Sequence, residues 1–353
     1  MLSKIKLSST KDRFSIGLDI GTQLIKCIKL KISGSDIELM AVDVEASQLD
    51  PIEALKKIKH AQDADLVNIS FCGSATVVRY VNFLRMSKAE LKQALKFEAQ
   101  EHIPFSLEEV NLDAEILKTD LPDNKMLVLI AALKKELIGQ RLKSLDGAGL
   151  RPHIIDIDAL ALANAFNYNY PKIDCPENKS ICLLNIGATI SNLSIMDNGA
   201  LRLSRDIHFG GANFTKQLMD IFSIDFKVAE ELKITPEGGA CLPARQGLAS
   251  NPDAQIANKI KASLESVLTD LAADIRTSFD YYESQHTSSV AKIFISGGGS
   301  KAAGLKEMLV NLLGMEVESW DPFKQIKISD QIDREKLNQF SSQLNVAVGL
   351  ALR

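Results

Sequence analysis

The 353-residue chain has no apolar run near the ~20 residues that a membrane span needs; the stretch Met126–Leu133 is only eight long. Met1–Arg13 carries Lys4, Lys6, Lys11 and Arg13 with no apolar run behind them, so no secretory leader is expected. Cysteine is scarce. Cys27, Cys72, Cys175, Cys182 and Cys241 are an odd, scattered five without a CxxC pair. That excludes a disulfide framework and a zinc ribbon, and predicts reduced thiols in a cytoplasm. Charge of one sign is not in excess either: 41 basic against 45 acidic residues leave −4, so no overall positive field draws the chain to nucleic acid. GxxxxGK[ST], HExxH and GxSxG are all absent, and the five histidines (His60, His102, His153, His208, His286) form no ligand spacing.

What is present is an ordinary globular mixture, 46% hydrophobic and 24% charged, which excludes disordered, collagen-like and coiled-coil chains. The length suits two or more domains and buries enough apolar surface to need no disulfide or metal staple.

Phe14–Ile20 predicts a strand, Gly21-Thr22 a tight turn, and Ile25–Ile32 a second strand. Pro51–His60 predicts a short helix and Leu66–Phe71 a buried strand. A change of texture follows from Thr76 to Gly149. Val77–Leu84 predicts a strand, and Ser87 with Glu90 has capping-box spacing. The helix behind that box is stopped by Pro104. Strands are predicted at Asn111–Leu117 and Met126–Leu133, and a helix at Lys135–Leu145 is closed by Gly147 and Gly149. Pro152–Ile157 predicts a further strand and Ala159–Phe166 a helix.

Tyr168–Lys179, with Pro171 and Pro176, marks the crossing between two halves. At an offset of 166, Asp19-Ile-Gly-Thr22 falls on Asn185-Ile-Gly-Ala188, each between two strand patterns. That repeat predicts a duplicated α/β architecture. The second half adds a strand at Leu201–His208, helices at Phe214–Phe222 and Phe226–Lys233, and a loop-rich Pro236–Ala254. A long helix at Ile256–Tyr282 is followed by a strand at Ala291–Ile295, the turn Gly297-Gly-Gly299, and helices at Gly304–Leu313 and Leu344–Leu352.

Three clusters could carry chemistry. At Asp19-Ile-Gly-Thr22 the glycine lets backbone amides close on a phosphate, and the carboxylate suits a Mg²⁺ held through water. The competing reading is a turn cap at Asp19 with Gly21 supplying a positive φ. Ser296–Ser300 lies between strand and helix, where amides can face a nucleotide. It also nearly fits a dinucleotide fingerprint, Gly297-x-Gly299-x-x-Ala302 with Glu316 and Glu318 beyond, but only 54 residues follow Gly299. Third, Glu98 is expected on the apolar side of its helix with Leu91, Ala94, Leu95 and Ala99, either paired or bordering a groove. Ile103-Pro104-Phe105 reads as a helix stop or as groove lining.

Asp19-Ile-Gly-Thr, Asn185-Ile-Gly-Ala-Thr189 and Ile295-Ser-Gly-Gly-Gly299 resemble the two phosphate motifs and the adenosine motif of the actin, heat-shock ATPase and sugar-kinase superfamily. Within it, Lys96–Val110, Gly147–Pro152, Ile155–Ala161, Ala229–Lys233 and Val346–Arg353 resemble the PilM family, actin-like type IV pilus assembly proteins related to FtsA. The resemblance implies an actin-like ATPase fold: two lobes of duplicated ribonuclease H-like α/β domains with an FtsA-type inserted subdomain. It implies a flexible tail at 1–13, a first lobe from 14–75 and 150–170, an inserted βαββα subdomain at 76–149, and a second lobe at 171–353.

The resemblance also implies ATP in the cleft, with Mg²⁺ held by Asp19 through water. Asp19, Gly21 and Thr22, then Gly187, Ala188 and Thr189, match the phosphate motifs. Gly297, Gly298 and Gly299 match the adenosine turn, and Glu230 with Lys233 match the ribose pair. Asp158, or equally Asp156, matches a polar position in the interlobe connection. Asn185 stands where Asp is usual, which implies slow or absent hydrolysis, a weak ATPase at most. The implied partner is the cytoplasmic N-terminal peptide of PilN, an inner-membrane protein, with Glu98, Ile103, Pro104 and Phe105 as candidate contacts. That makes a cytoplasmic scaffold, peripheral to the inner membrane through its partner, with self-association left open. The alternatives are a phosphotransferase of sugar-kinase type and an FtsA-like division protein.

Overall fold

The computed structural model describes residues 12–47, 50–173, 176, 178–235 and 252–353. Of the tail expected at 1–13, residues 1–11 lie outside the described residues and Arg13 already opens a strand; of the loop-rich stretch expected at Pro236–Ala254, residues 236–251 lie outside them and 252–254 begin a helix.

Two sheets form the body. The first begins with a meander, β1 (Arg13–Ile20), β2 (Leu24–Ser33) and β3 (Asp36–Ala46), all antiparallel. After α1 (Pro51–Gln62), β4 (Leu66–Phe71) and β8 (Arg151–Ile157) join parallel to β1. The second sheet repeats the plan. β9 (Lys179–Ile186), β10 (Ser191–Asp197) and β11 (Ala200–Ile207) make the meander, and β12 (Ser289–Ser296) and β13 (Glu316–Ser319) add in parallel. The duplication extends to register: Asp19 faces Lys26 and Asn185 faces Asn192, while Gly21 N–H donates to Leu24 O and Gly187 N–H to Ile190 O, both at 3.0 Å.

Alternation along β9 buries both faces. Ile181 and Leu183 meet one core, while Cys182, Leu184 and Ile186 meet the other. The outer face is covered by α5 (Gly211–Phe222), α6 (Phe226–Ile234), α7 (Pro252–Gln285) and α8 (Leu305–Leu313). Along α7 the stripe Ile260, Leu264, Leu268, Leu271 and Ile275 is fully buried, a packing face at helical spacing. Between the sheets lie α4 (Asp158–Asn169) and α10 (Asn345–Ala351), whose core includes Ile28, Leu30 and Leu39 of one sheet and Leu183 and Phe294 of the other.

The C-terminal segment departs from the expected boundary. Residues 171–353 were assigned to the second lobe, but β14 (Lys327–Ile328) pairs with β3 and α10 packs on β1 and α4. Small residues cause the return. A Cβ on Gly17 would lie 2.0 Å from Ala347 O, and one on Gly349 1.8 Å from Ala161 O, so α10 rests backbone to backbone on the first lobe.

The insert also differs in extent. β5 (Thr76–Leu84), β6 (Val110–Leu121) and β7 (Lys125–Lys134) form a three-stranded sheet in the order β5-β7-β6, covered by α2 (Lys88–Glu98). The expected last helix of the βαββα unit, α3 (Lys135–Gly147), lies instead against the first lobe, where Ile138 and Leu145 share a core with Leu55, Ile58 and Val67. The unit that packs on itself is βαββ. Sequence signals also missed β3, a third meander strand with mixed exposure, and the short α9 (Arg334–Phe340). No described helix is long and apolar enough to cross a membrane.

Candidate functional site

The two hairpin turns meet at the seam between the lobes, where Thr22 Oγ1 lies 3.4 Å from Thr189 Oγ1. Asp19, the last but one residue of β1, is almost fully buried, and Lys26 Nζ donates to its Oδ2 at 2.5 Å. Gly21 is not in the left-handed region. Close approach favours glycine here instead, since a Cβ would stand 3.0 Å from Leu24 O and 3.4 Å from Lys26 Nζ. The turn-cap alternative with a positive φ is therefore corrected.

Lys26 is a residue the sequence reading missed. The hairpin register was the available signal, because a residue seven after Asp19 across a tight turn sits opposite it.

Two further carboxylates face the seam. Asp158, at the start of α4, has its carboxyl pushed up to about 6 by burial first and then by the charge of Asp19, with Asp206 adding and Ser70 and Cys72 opposing. Asp206 of β11 reaches across from the second lobe and accepts the Gly73 N–H at 2.5 Å. The charge of Asp158, then burial, then Asp206 push the Cys72 thiol up. Arg141 adds a guanidinium beside them, its Nη1 donating to Ile20 O at 3.2 Å above the Phe71 ring. Asp156, the equal candidate in sequence, points away: Arg353 holds its Oδ2 from Nη2 at 2.5 Å and Nε at 2.6 Å. Asp158 is the residue at the seam.

The second turn is built tightly. Gly187 O accepts from Gly211 N–H at 2.9 Å and Ala188 O from Ala212 N–H at 2.8 Å, and Gly210 has no room for a Cβ against Ala188 O at 2.5 Å. Thr189 is exposed at the tip. Asn185 is tied sideways, its Oδ1 accepting from Ser296 Oγ at 3.1 Å. Gly297, at φ 88°, takes the left-handed conformation that glycine tolerates; Gly298 lies beside Gln343, and Gly299 presses on Ile186.

Gly211 connects these groups, 3.4 Å from a Cβ position to Gly299 Cα and 3.5 Å to Lys233 Nζ. Lys233 is buried and donates to Glu230 Oε1 at 2.5 Å and to Thr215 Oγ1 at 3.0 Å. Thr215 in turn donates to Glu230. Gly187, Gly299, Glu230 and Lys233 thus converge at the α5 N-terminus.

The 98–105 segment of the insert is distributed differently. Ile103 is buried with Val77, Val110 and Ala132, so it supports the surface rather than lining it. Phe105 is half-buried under Lys134 Nζ at 4.9 Å, and Pro104 is exposed. Glu98 does not share the apolar side: Leu91, Leu95 and Ala99 are buried at i, i+4 and i+8, while Glu98 falls on the exposed flank. Beside it, Phe97 is 81% exposed.

The residues present suit an anionic ligand carried with a cation. Asp19 is paired with Lys26, and Asp19 and Asp158 both lie near enough to Arg141 to act on its charge; among the described residues no group of three or more His, Cys, Asp or Glu that could hold a metal ion is found.

Comparison with known proteins adds family and fold. The family model for "Type IV pilus assembly protein PilM" matches residues 17–353. Among solved structures, one titled "PilM-PilN type IV pilus biogenesis complex" superposes with a TM-score of 0.79 at 24% identity, over 96% of this chain and 98% of that one. The ethanolamine utilization protein EutJ from Carboxydothermus hydrogenoformans superposes with a TM-score of 0.53 at 15% identity, over 96% and 89%. The fold is that of the actin-like ATPases.

Proposed function

We propose a function from one premise: the chain belongs to the type IV pilus assembly protein PilM family. It is an ATP-binding, actin-like scaffold of that machinery, held at the inner membrane by the N-terminal peptide of a PilN-like protein. The observation that carries the nucleotide part is the meeting of Asp19, Lys26, Asp158 and Asp206 where the two hairpin turns close.

In this reading Lys26 leaves Asp19 to neutralise a phosphate oxygen. Asp19, Asp158 and Asp206 are the residues that would hold a hydrated Mg²⁺, which would screen phosphate charge. Amides of the turns that follow Gly21 and Gly187, whose own N–H groups are already bonded to Leu24 O and Ile190 O, face the phosphates. Gly211, Gly299, Glu230 and Lys233 hold the nucleoside end.

Hydrolysis is slow or absent. Asn185 offers no carboxylate, and its Oδ1 is already engaged by Ser296. Asp206 restores a negative charge to the seam from a different strand, but through hydrogen bonds to Gly73 and Asn192 that fix its direction.

The peptide site is the ridge of the insert around Phe97, Glu98, Pro104 and Phe105, with Ile103 packed beneath. The solved complex that this chain resembles is titled as one of PilM with PilN, and that likeness supports the choice of partner.

Calorimetric titration of nucleotide-stripped protein with Mg·ATP tests the first part. Binding that is lost in Asp19→Ala is expected; absence of binding to the unmodified chain overturns it. Titration with a PilN N-terminal peptide tests the second, with Phe97→Ala expected to weaken it about tenfold, the cost of one buried aromatic contact.

A further inference from the structure

Arg141 reaches the seam from α3, on the side of the first lobe. Ile138 and Leu145, three residues before it and four after, are buried against the first sheet, so helical spacing turns Arg141 toward the same sheet. Two contacts fix its direction. The guanidinium carbon lies 5.2 Å from the centre of the Phe71 ring, and Nη1 donates to Ile20 O at 3.2 Å. Ile20 closes β1 and directly precedes the Gly21-Thr22 turn.

The charge of Arg141 is not spent on an acid. Burial works against it, and Asp19 followed by Asp158 are the largest charges that support it. Yet among the described residues Arg141 forms no salt bridge. Asp19 is taken by Lys26 at 2.5 Å, and Asp158 shares hydrogen bonds with Ser70 and Cys72. A guanidinium carries five N–H donors in a rigid fork that fits a carboxylate or a phosphate at two points. The Phe71 ring and the Ile20 carbonyl aim this fork while using one donor. Holding a charge partly out of water without an ion pair is costly, and a packing role on Phe71 would not require it.

We propose that Arg141 binds the terminal phosphate of the nucleotide and makes the cleft prefer a triphosphate to a diphosphate. This assignment rests on the nucleotide reading above and adds a specificity to it. The nucleoside end belongs to Gly211, Gly299, Glu230 and Lys233 of the second lobe, so the phosphates run from there past the two turns to the first-lobe side, where Arg141 stands beside Ile20. The terminal phosphate carries the most charge of the three and offers oxygens to a two-point donor. Lys26 has to leave Asp19 to reach a phosphate. Arg141 is already aimed, so its contact needs no rearrangement. A diphosphate ends one group short of it.

Calorimetric titration of the nucleotide-stripped full-length protein with Mg·AMPPNP and with Mg·ADP tests the assignment on the unmodified chain, Arg141→Gln and Arg141→Lys. The unmodified chain is expected to bind Mg·AMPPNP about tenfold or more tightly than Mg·ADP, the share of one charged hydrogen-bonded contact. Arg141→Gln is expected to lose about thirtyfold for Mg·AMPPNP and less than about threefold for Mg·ADP. Arg141→Lys keeps the charge and the stem over Phe71 but not the fork, so its preference is expected to fall between the two. Equal losses for both nucleotides mean a structural role and overturn the assignment, as does unchanged binding of both. Equal affinity of the unmodified chain for the two nucleotides overturns it as well and leaves the nucleotide reading standing. Should Arg141→Gln fail to fold, Arg141→Lys decides, and an unchanged ratio of the two affinities overturns the assignment. No binding of either nucleotide to the unmodified chain overturns the nucleotide reading and this assignment together.

Discussion

Lys26 Nζ lies 2.5 Å from Asp19 Oδ2, directly across the β1–β2 hairpin. Both side chains are nearly buried, at 14% and 11% exposure. The counterparts 166 residues later, Asn185 and Asn192, are neutral, so the duplicated device carries ionic charge in one lobe only. A buried pair of this kind costs desolvation on both sides, which favours a role in which the lysine changes partner.

Breaking that pair from one side leaves Asp19 buried and uncompensated. Lys26→Met is expected to cost about 3 kcal/mol of unfolding free energy, read by urea denaturation. Asp19→Asn combined with Lys26→Met is expected to recover most of it, because no ion is then left unpaired. A double variant as unstable as the single one would show that packing, not charge, sets the loss.

Asp158 makes stability depend on pH. Its folded carboxyl sits at about 6 against an ordinary 3.8, so the folded state holds a proton that the unfolded state has released across that window. Stability from this group is present below 3.8 and is lost as pH rises through 6. Asp158→Asn removes the dependence. Its stabilisation is expected to be small at pH 4 and to reach at most about 3 kcal/mol at pH 7.5, at 1.36 kcal/mol per unit. Scanning calorimetry at the two pH values checks it.

Arg353→Ala is expected to destabilise by about 2–3 kcal/mol at neutral pH, because Asp156, whose side chain is 6% exposed beside Arg353, would lose its partner. Burial already pushes the Asp156 carboxyl up, and Arg353 is the main opposing charge. The loss should therefore shrink as the pH falls and Asp156 takes a proton instead. A pH-independent loss in chemical denaturation would contradict the ion-pair account.

Gly349→Ala places a methyl 1.8 Å from Ala161 O. Neither α10 nor α4 can yield without separating the lobes' shared core, so the cost is expected at about 3 kcal/mol or more. Gly139→Ala, where nothing lies within 4 Å of the new Cβ, is the matched helical control and should be neutral or slightly stabilising. Thermal denaturation of both variants makes the comparison.

Much of the fold was legible because its signals are local. The Ser87–Glu90 capping box forms as spaced, with Ser87 accepting from Glu90 N–H and Glu90 accepting from Ser87 N–H. The turn at Asn198-Gly199 takes positive φ at both residues, the geometry that a two-residue hairpin needs. The repeat at offset 166 announced the two sheets. Less legible was β3, where Ile37 and Leu39 are buried but residues 40–45 are all half-buried, so the alternation fades along the strand. Glu98 was misplaced for a related reason: a three-residue step from Leu95 reaches the flank of the stripe, and only the packed sheet decides how wide that stripe is.

What the sequence determined by itself was the kind of device at each lobe's entrance: a strand, an acid or amide, a glycine bend and a returning strand. Hydrogen-bonded turns and residue size fix such a unit within about a dozen residues. Tertiary structure alone decided which distant groups join it. Asp206 meets Gly73 across 133 residues, Arg353 meets Asp156 across 197, and α10 returns to the first lobe on glycines. Those pairings follow from how two sheets and two central helices pack, and close packing is a property of the folded whole that no local period records.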